Sequence, residues 1–404
     1  MVEIRYWLSL ATIGRANGVL AYQRNTRKKA CTETLRLIIS FSMKICSLVG
    51  MKFHEISIGL GVLALMVTGS ALRAQSISMS YVTVGNPGNA NDTVTSDEGS
   101  GLFFGAVGYT YDIGEYDVTD SQYATFLNAV DPSGANTLAL YSPQGDAEFG
   151  LTFNSGAASG SKYSVKSGYA NMPVVDVNYW DTLRFVNWMN NGEGNASTET
   201  GAYTLLGGNT DGMGTPSNAS SLLANPQQNA GATVWLPSEN EWYKAAYYDP
   251  ANSTYSTYAT QSDTAPGNVV GSGSNQANYF TVQNTNVFSV TQSSSYVSST
   301  NYLTAVGSFT DSASYYGTFD QSGDVDNWIS TIVDPDYPVL RGGIWAGEGG
   351  PPSLSSSVQG SFDPSLGLDY GGFRVASIPE PNSFMLILAA VTGLALMRGK
   401  SFKL

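Results

Sequence analysis

The sequence predicts an α+β fold: a few short helices and strands set in Gly-rich irregular chain. Three observations carry that reading. Charged residues make up only 13% of the 404 residues, about half of the usual ~25%, and 44 glycines with abundant Ser, Thr and Asn take their place. Helical apolar spacing occurs in three stretches, each stopped early by polar or turn-forming residues. No repeat, heptad or Gly-rich phosphate loop appears. With 42% hydrophobic and 12% aromatic residues, the chain can still close a sizeable core.

Residues 76–118 read as strands and turns: SMSYVTVG alternates before the loop GNPGNANDT, and FFGAVGYTYDIGEYDV follows. The first helix begins at TDSQYATFLNAV, where Thr119 and Gln122 form a capping-box pattern and Tyr123, Phe126, Leu127 and Val130 repeat at helical spacing. Residues 131–172 read as loop with short strands. The second helix lies within MPVVDVNYWDTLRFVNWMNNGEG; Trp180, Leu183, Val186 and Asn187 make its face, and NNGEG stops it. The third follows VWLPSENEWYKAAYYDP, opened by a Ser238/Glu241 capping box and closed by Pro250. Residues 251–300 are Ser/Thr/Asn-rich and read as surface loop. Glu239 and Glu241 are carboxylates suited to acid–base work, but Glu241 already has a capping role.

Charge and targeting patterns divide the chain. Residues 51–75 (MKFHEISIGLGVLALMVTGSALRAQ) run from a basic start through an apolar stretch to small residues, with a plausible cut after Ala74: the layout of a secretory signal peptide. Met51 is then the expected start, and 1–50 a mis-called or leader extension. Residues 76–378 hold six basic against 28 acidic residues, a formal net charge of −22. Such a domain is repelled by nucleic acid and anionic lipid; its acids form a solvated surface or a cation-binding one. Both cysteines (Cys31, Cys46) and the single histidine (His54) precede it. Disulfides, thiol catalysis, imidazole general-base chemistry and Cys/His metal sites are thereby excluded from the domain. Residues 379–404 begin Pro379-Glu380-Pro381, continue as an apolar run and end with Arg398, Lys400 and Lys403. This segment resembles a PEP-CTERM sorting signal. The resemblance implies a Gram-negative host, export to the cell surface, outer envelope or extracellular matrix, transient membrane anchoring and handling by exosortase-type sorting machinery.

Seven segments stand in a fixed order: YDIGEYDVTDSQYATFLNAV, MPVVDVNYWDTLRFVNWMN, WLPSENEWYKAAYYDP, TAVGSF, YGTFDQSGDVDNW, VLRGGIW and GGFRVAS. Together, from about Tyr109 to Ser377, they resemble the formylglycine-generating enzyme and sulfatase-modifying factor family. The resemblance implies a C-type-lectin-like fold with small twisted sheets. Arg341 and Arg374, beside glycines that allow close backbone approach, read as structural residues in partly buried ion pairs. The oxidase branch carries two copper-binding cysteines shortly after the RGG-aromatic strand; the matching positions here are about Gly347 and Pro352. No copper is expected without those thiolates, and the histidine cluster of the ergothioneine-type branch is missing too. The family's calcium segment aligns with Asp320–Trp328. It implies Asp320 and Asn327 as side-chain ligands, Gly323 and Val325 as carbonyl ligands, and Asn278 and Tyr279 as candidates for a second calcium site. Asn327 stands where the family has Glu, which lowers the expected affinity, and the segment also reads as a sharp Gly turn with solvated acids. The expected function is a non-catalytic, exported binding or structural module that presents Trp345, Glu348, Asp363, Asp369 and Tyr370 to a glycan or protein ligand. The alternative is an enzyme of unrecognised mechanism on the same scaffold.

Overall fold

Three helices start where a capping box satisfies their first free N–H groups in the computed structural model: α1 (Asp120–Val130), α2 (Tyr179–Asn190) and α3 (Glu239–Tyr247). Thr119/Gln122 and Ser238/Glu241 cap α1 and α3 as the sequence predicts. The box opening α2 pairs Asn178 with Asp181, a combination outside the usual Ser/Thr-x-x-Glu pattern. Helix α2 also differs from the expected one-faced helix: it is buried from Tyr179 to Trp188. Its polar residues therefore need internal partners. Arg184 pairs with Glu199 at 2.8 Å, and the Asn187 side chain donates to Thr198 O and accepts from Tyr203 N. Phe185 packs against Tyr123, Phe126, Trp188 and Phe373, so the core gathers around α2.

The described residues are 76–94, 101–205, 227–280, 286–334, 337–347 and 349–379, all within the unit Ala74–Leu404. The expected signal segment, Glu380 onward and Glu348 lie outside them. Strands β1 (Tyr81–Val84), β2 (Tyr111–Gly114), β5 (Val234–Trp235) and β12 (Ala376–Ser377) form one antiparallel sheet in the order β1-β2-β12-β5. A second sheet runs β10-β9-β8-β11, from β8 (Asp326–Asp334), β9 (Tyr337–Arg341), β10 (Gly360–Ser361) and β11 (Gly371–Gly372). Its β11–β8 pair is parallel, and β8 carries register shifts against β9. Two hairpins complete the set: β3 (Leu151–Phe153) with β4 (Tyr163–Val165), and β6 (Tyr248–Asp249) with β7 (Thr254–Tyr255). Apart from β7, the described part of 251–300 is irregular, as expected, but it is not all surface. Tyr258, Ala277, Tyr279 and Phe288 are buried, because aromatic and small residues recur within the polar run.

Buried ion pairs join these pieces. The Arg374 guanidinium, fully buried, donates to Asp117 Oδ1 (3.0 Å), Asn327 Oδ1 (2.8 Å), Gly114 O (3.1 Å) and Phe319 O (2.9 Å). Asn327 in turn donates to Asp117 and accepts from Trp242 Nε1 on α3. Arg341 meets Glu239 at 2.6 Å and lies 5.2 Å and 5.1 Å from the ring centres of Phe104 and Tyr243. Both arginines are structural, as expected, but their pairs are fully rather than partly buried.

Removing one partner of a buried pair strands the other charge and costs about 3–5 kcal/mol, whereas removing both costs far less. Arg374→Met should therefore lower the unfolding free energy measured in urea by about 3–5 kcal/mol, with part recovered when Asp117→Asn is added. A loss under about 1 kcal/mol for Arg374→Met alone would show that the pair contributes no more than an exposed one.

Candidate functional site

Several buried carboxylates lack a cationic partner, and one group of them adjoins aromatic side chains. Asp176 lies two residues before the α2 cap, held by its N–H to Leu368 O (2.9 Å). Its backbone is left-handed (φ 58°), uncommon for a residue other than glycine. The side chain is 7% exposed, and its Oδ2 has no hydrogen-bond partner. Its pKa is pushed up to about 7, first by burial and then by Asp146, Asp369 and Glu148, with Lys166 pulling it down. Glu148 is buried and accepts from Tyr302 N at 3.2 Å. Asp120 lies deeper, at the start of α1. Neither of its carboxylate oxygens has a partner, and burial raises it to about 8 against the pull of Lys166. A Cβ on Gly150 would run into the Asp120 carboxylate, so only glycine leaves room for it there.

An aromatic wall adjoins these acids. Trp345 and Tyr302 stack at 5.3 Å between ring centres with planes 6° apart, and Tyr296 stacks on Tyr302 at 5.4 Å. Val175, next to Asp176, packs in the same cluster, with Phe288 and Tyr370. Trp345 is 4% exposed, yet its Nε1 has no acceptor. Tyr296 is exposed at the outer end. Buried polar groups normally find partners; here Trp345 Nε1 and Asp176 Oδ2, in neighbouring positions, find none within the chain.

The expected ligand-facing residues divide accordingly. Trp345, Asp369 and Tyr370 lie in this region. Asp363 does not join it through any hydrogen bond: its Oδ1 accepts from Ser365 N and Oγ within its own turn. Glu348 falls outside the described residues. Sequence reasoning missed Asp120, Asp146, Glu148, Asp176, Tyr296 and Tyr302. The signal for Asp176 was an acid flanked by Val175 and Val177 in a run that buries both valines.

The expected calcium residues are brought together, but most of their oxygens are already used. Gly323 (φ +88°) abuts Asn278 so closely that a Cβ would strike the Asn278 carbonyl, and Asp324 N donates to that carbonyl. Asn278 Nδ2 donates to Asp324 Oδ1, and Tyr279 O accepts from Asn268. Asn327 is withdrawn from the set: its Oδ1 accepts from the Arg374 guanidinium and Trp242 indole, and a cation cannot share that oxygen with an arginine. Val325 O faces the Asn327 amide at 3.5 Å. Asp320 fits better. Only its Oδ2 is engaged, by Gly307 N, and it lines a small cavity with Asn278 and Asp324. Among the described residues, no three His, Cys, Asp or Glu side chains converge as a metal site. Glu239 and Glu241 are likewise occupied, the first by Arg341 and Gln359, the second by Ser238, Trp235 and Tyr109.

Acids whose folded pKa is raised keep protons that the unfolded chain has lost, so stability falls as pH rises from about 4, the unfolded value, toward the folded values of about 7 for Asp176 and about 8 for Asp120. The melting temperature should be higher at pH 5 than at pH 8. Asp176→Asn, which cannot ionise, should raise it more at pH 8 than at pH 5. An equal effect at both pH values would mean that Asp176 titrates normally.

Comparison with known proteins agrees with the motif order. Residues 106–378 match the family described as sulfatase-modifying factor enzyme 1-like domain. No curated protein matches the chain. Similar solved structures include CarF, at 16% identity over 75% of this chain and 99% of that one (TM-score 0.48). Treponema denticola variable protein 1 is 17% identical over 75% and 96% (TM-score 0.43), and PvdO from Pseudomonas aeruginosa 17% over 75% and 93% (TM-score 0.38). The chain belongs to the sulfatase-modifying factor (formylglycine-generating enzyme-like) family.

Proposed function

We propose that this chain is an exported binding module of the family, with a C-type-lectin-like fold and without the oxidase chemistry of its formylglycine-generating branch. One observation carries the reading. After the Arg341-Gly342-Gly343 turn, where that branch places its thiolates, this chain places Gly347 in a turn and Pro352 in the 3-10 turn Pro351–Leu354, and uses Trp345 for the aromatic wall. Without thiolates, copper(I) has no soft ligands there. The binding face is then the acidic and aromatic region of Asp176, Glu148, Asp369, Tyr296, Tyr302 and Trp345, beside the family's catalytic position. A second reading, an enzyme of another mechanism, draws on Asp176, whose pKa of about 7 suits a general acid.

Export rests on the signal-like order of residues 51–74 and the PEP-CTERM-like end, which fit surface delivery through exosortase-type sorting with transient membrane anchoring. Calcium enters this proposal at Asp320, the carboxylate with an oxygen to spare. One anionic ligand makes a weak site, of the millimolar kind common in extracellular modules.

Two measurements test these points. Incubated with a sulfatase-type Cys peptide, with and without copper, the protein should leave the cysteine unchanged by mass spectrometry. Time-dependent conversion to the aldehyde would overturn the module reading. In thermal melts, calcium should raise the midpoint only at millimolar concentration, magnesium should do less, and Asp320→Asn should abolish the difference. Equal shifts in wild type and variant would remove Asp320 from calcium binding.

A further inference from the structure

The ligand class follows from what the region lacks. Five carboxylates (Asp120, Asp146, Glu148, Asp176, Asp369) influence one another, and the one basic side chain among their electrostatic neighbours is Lys166. Net negative charge in a partly closed, low-dielectric place calls for a cation. A bare metal ion is the poorer occupant, because among the described residues no three acids converge on one point. Acids spread along an aromatic wall suit a cation with a hydrocarbon stem: the charge meets the carboxylates, and the stem lies on the rings. The fold already holds one ammonium group against aromatic rings. Lys166 Nζ donates to Phe149 O and lies 5.7 Å and 5.6 Å from the ring centres of Phe149 and Tyr169.

We propose that the region binds an alkylammonium group, with Asp176 Oδ2 accepting its N–H, Glu148 and Asp369 supplying opposing charge, and Tyr296 covering its methylene stem. The proposal deepens the binding-module reading and rests on it. Three features converge on this choice. Asp176 Oδ2 is buried and has no donor within the chain. The Asp176 backbone is held left-handed, a cost that functional positions often carry. Tyr296 stays 55% exposed while stacking on a buried ring, which leaves its outer face free for a ligand. The unpaired Trp345 Nε1 adds a donor for an oxygen carried beside the amine.

Calorimetric titration of the purified protein tests this, with cadaverine as a free diamine and a short lysine peptide as the side-chain form. Saturable binding of either supports the proposal, and the tighter of the two identifies the source. The Nε-acetylated peptide should not bind. Asp176→Asn should weaken binding about tenfold or more, as expected for losing a charged hydrogen bond. Asp369→Asn, at the partly open edge, gives a second variant should the first fail to fold; Tyr296→Ala should weaken binding too. Absence of binding to both amines, equal affinity for the acetylated peptide, or affinity unchanged in every folded variant would overturn it. Failure here, with the Cys peptide still unoxidised, removes only the ligand class; oxidation of that peptide removes the module reading whatever the amines do.

Discussion

A guanidinium withdrawn from water must use its donors inside the protein, and Arg374 meets that demand by reaching four separate segments. Gly114 at the end of β2, Asp117 before α1, Phe319 in the long connection and Asn327 on β8 are all fixed relative to one charge. Asn327 passes the constraint on to Trp242 and so to α3. Strands of two to four residues, such as those of the first sheet, have little stability alone. What holds them in register is the core around α2 and this buried wiring, with Arg341 and Glu239 doing the same for the second sheet.

The same wiring explains why the Asp176 region stands out. The buried arginines meet designated partners: Arg184 with Glu199, Arg341 with Glu239, Arg374 with Asp117. At Asp176 the chain buries a carboxylate, surrounds it with further carboxylates and leaves Oδ2 unpaired. Such an arrangement is costly to a protein that needs only to fold, and the cost is local, beside the aromatic wall.

Much of this was legible in the sequence where signals are local. Thr119/Gln122 and Ser238/Glu241 announced two helices because a capping box is a four-residue pattern. Asn178/Asp181 uses the same geometry with other side chains and was passed over. The structural role of Arg341 and Arg374 could be read from the glycines beside them, but not their partners: Asp117 is more than 250 residues from Arg374. Asn327 shows the limit of residue-by-residue matching. The Asn327 carboxamide donates to Asp117 and accepts from Arg374 and Trp242, which an ionised carboxylate at that position could not do. Glu148, Asp176, Tyr302 and Asp369 come from four distant loops, and no periodicity brings such residues together on paper.

The central claim is that Asp176 is a buried, unpaired acid awaiting a cationic partner. Carboxyl-carbon NMR of the labelled protein reads it directly. The Asp176 resonance should titrate near pH 7 in the free protein, move to lower pH when an alkylamine is added, and keep its unperturbed position when the acetylated amine is added instead. A titration near pH 4 that no amine changes would contradict the account.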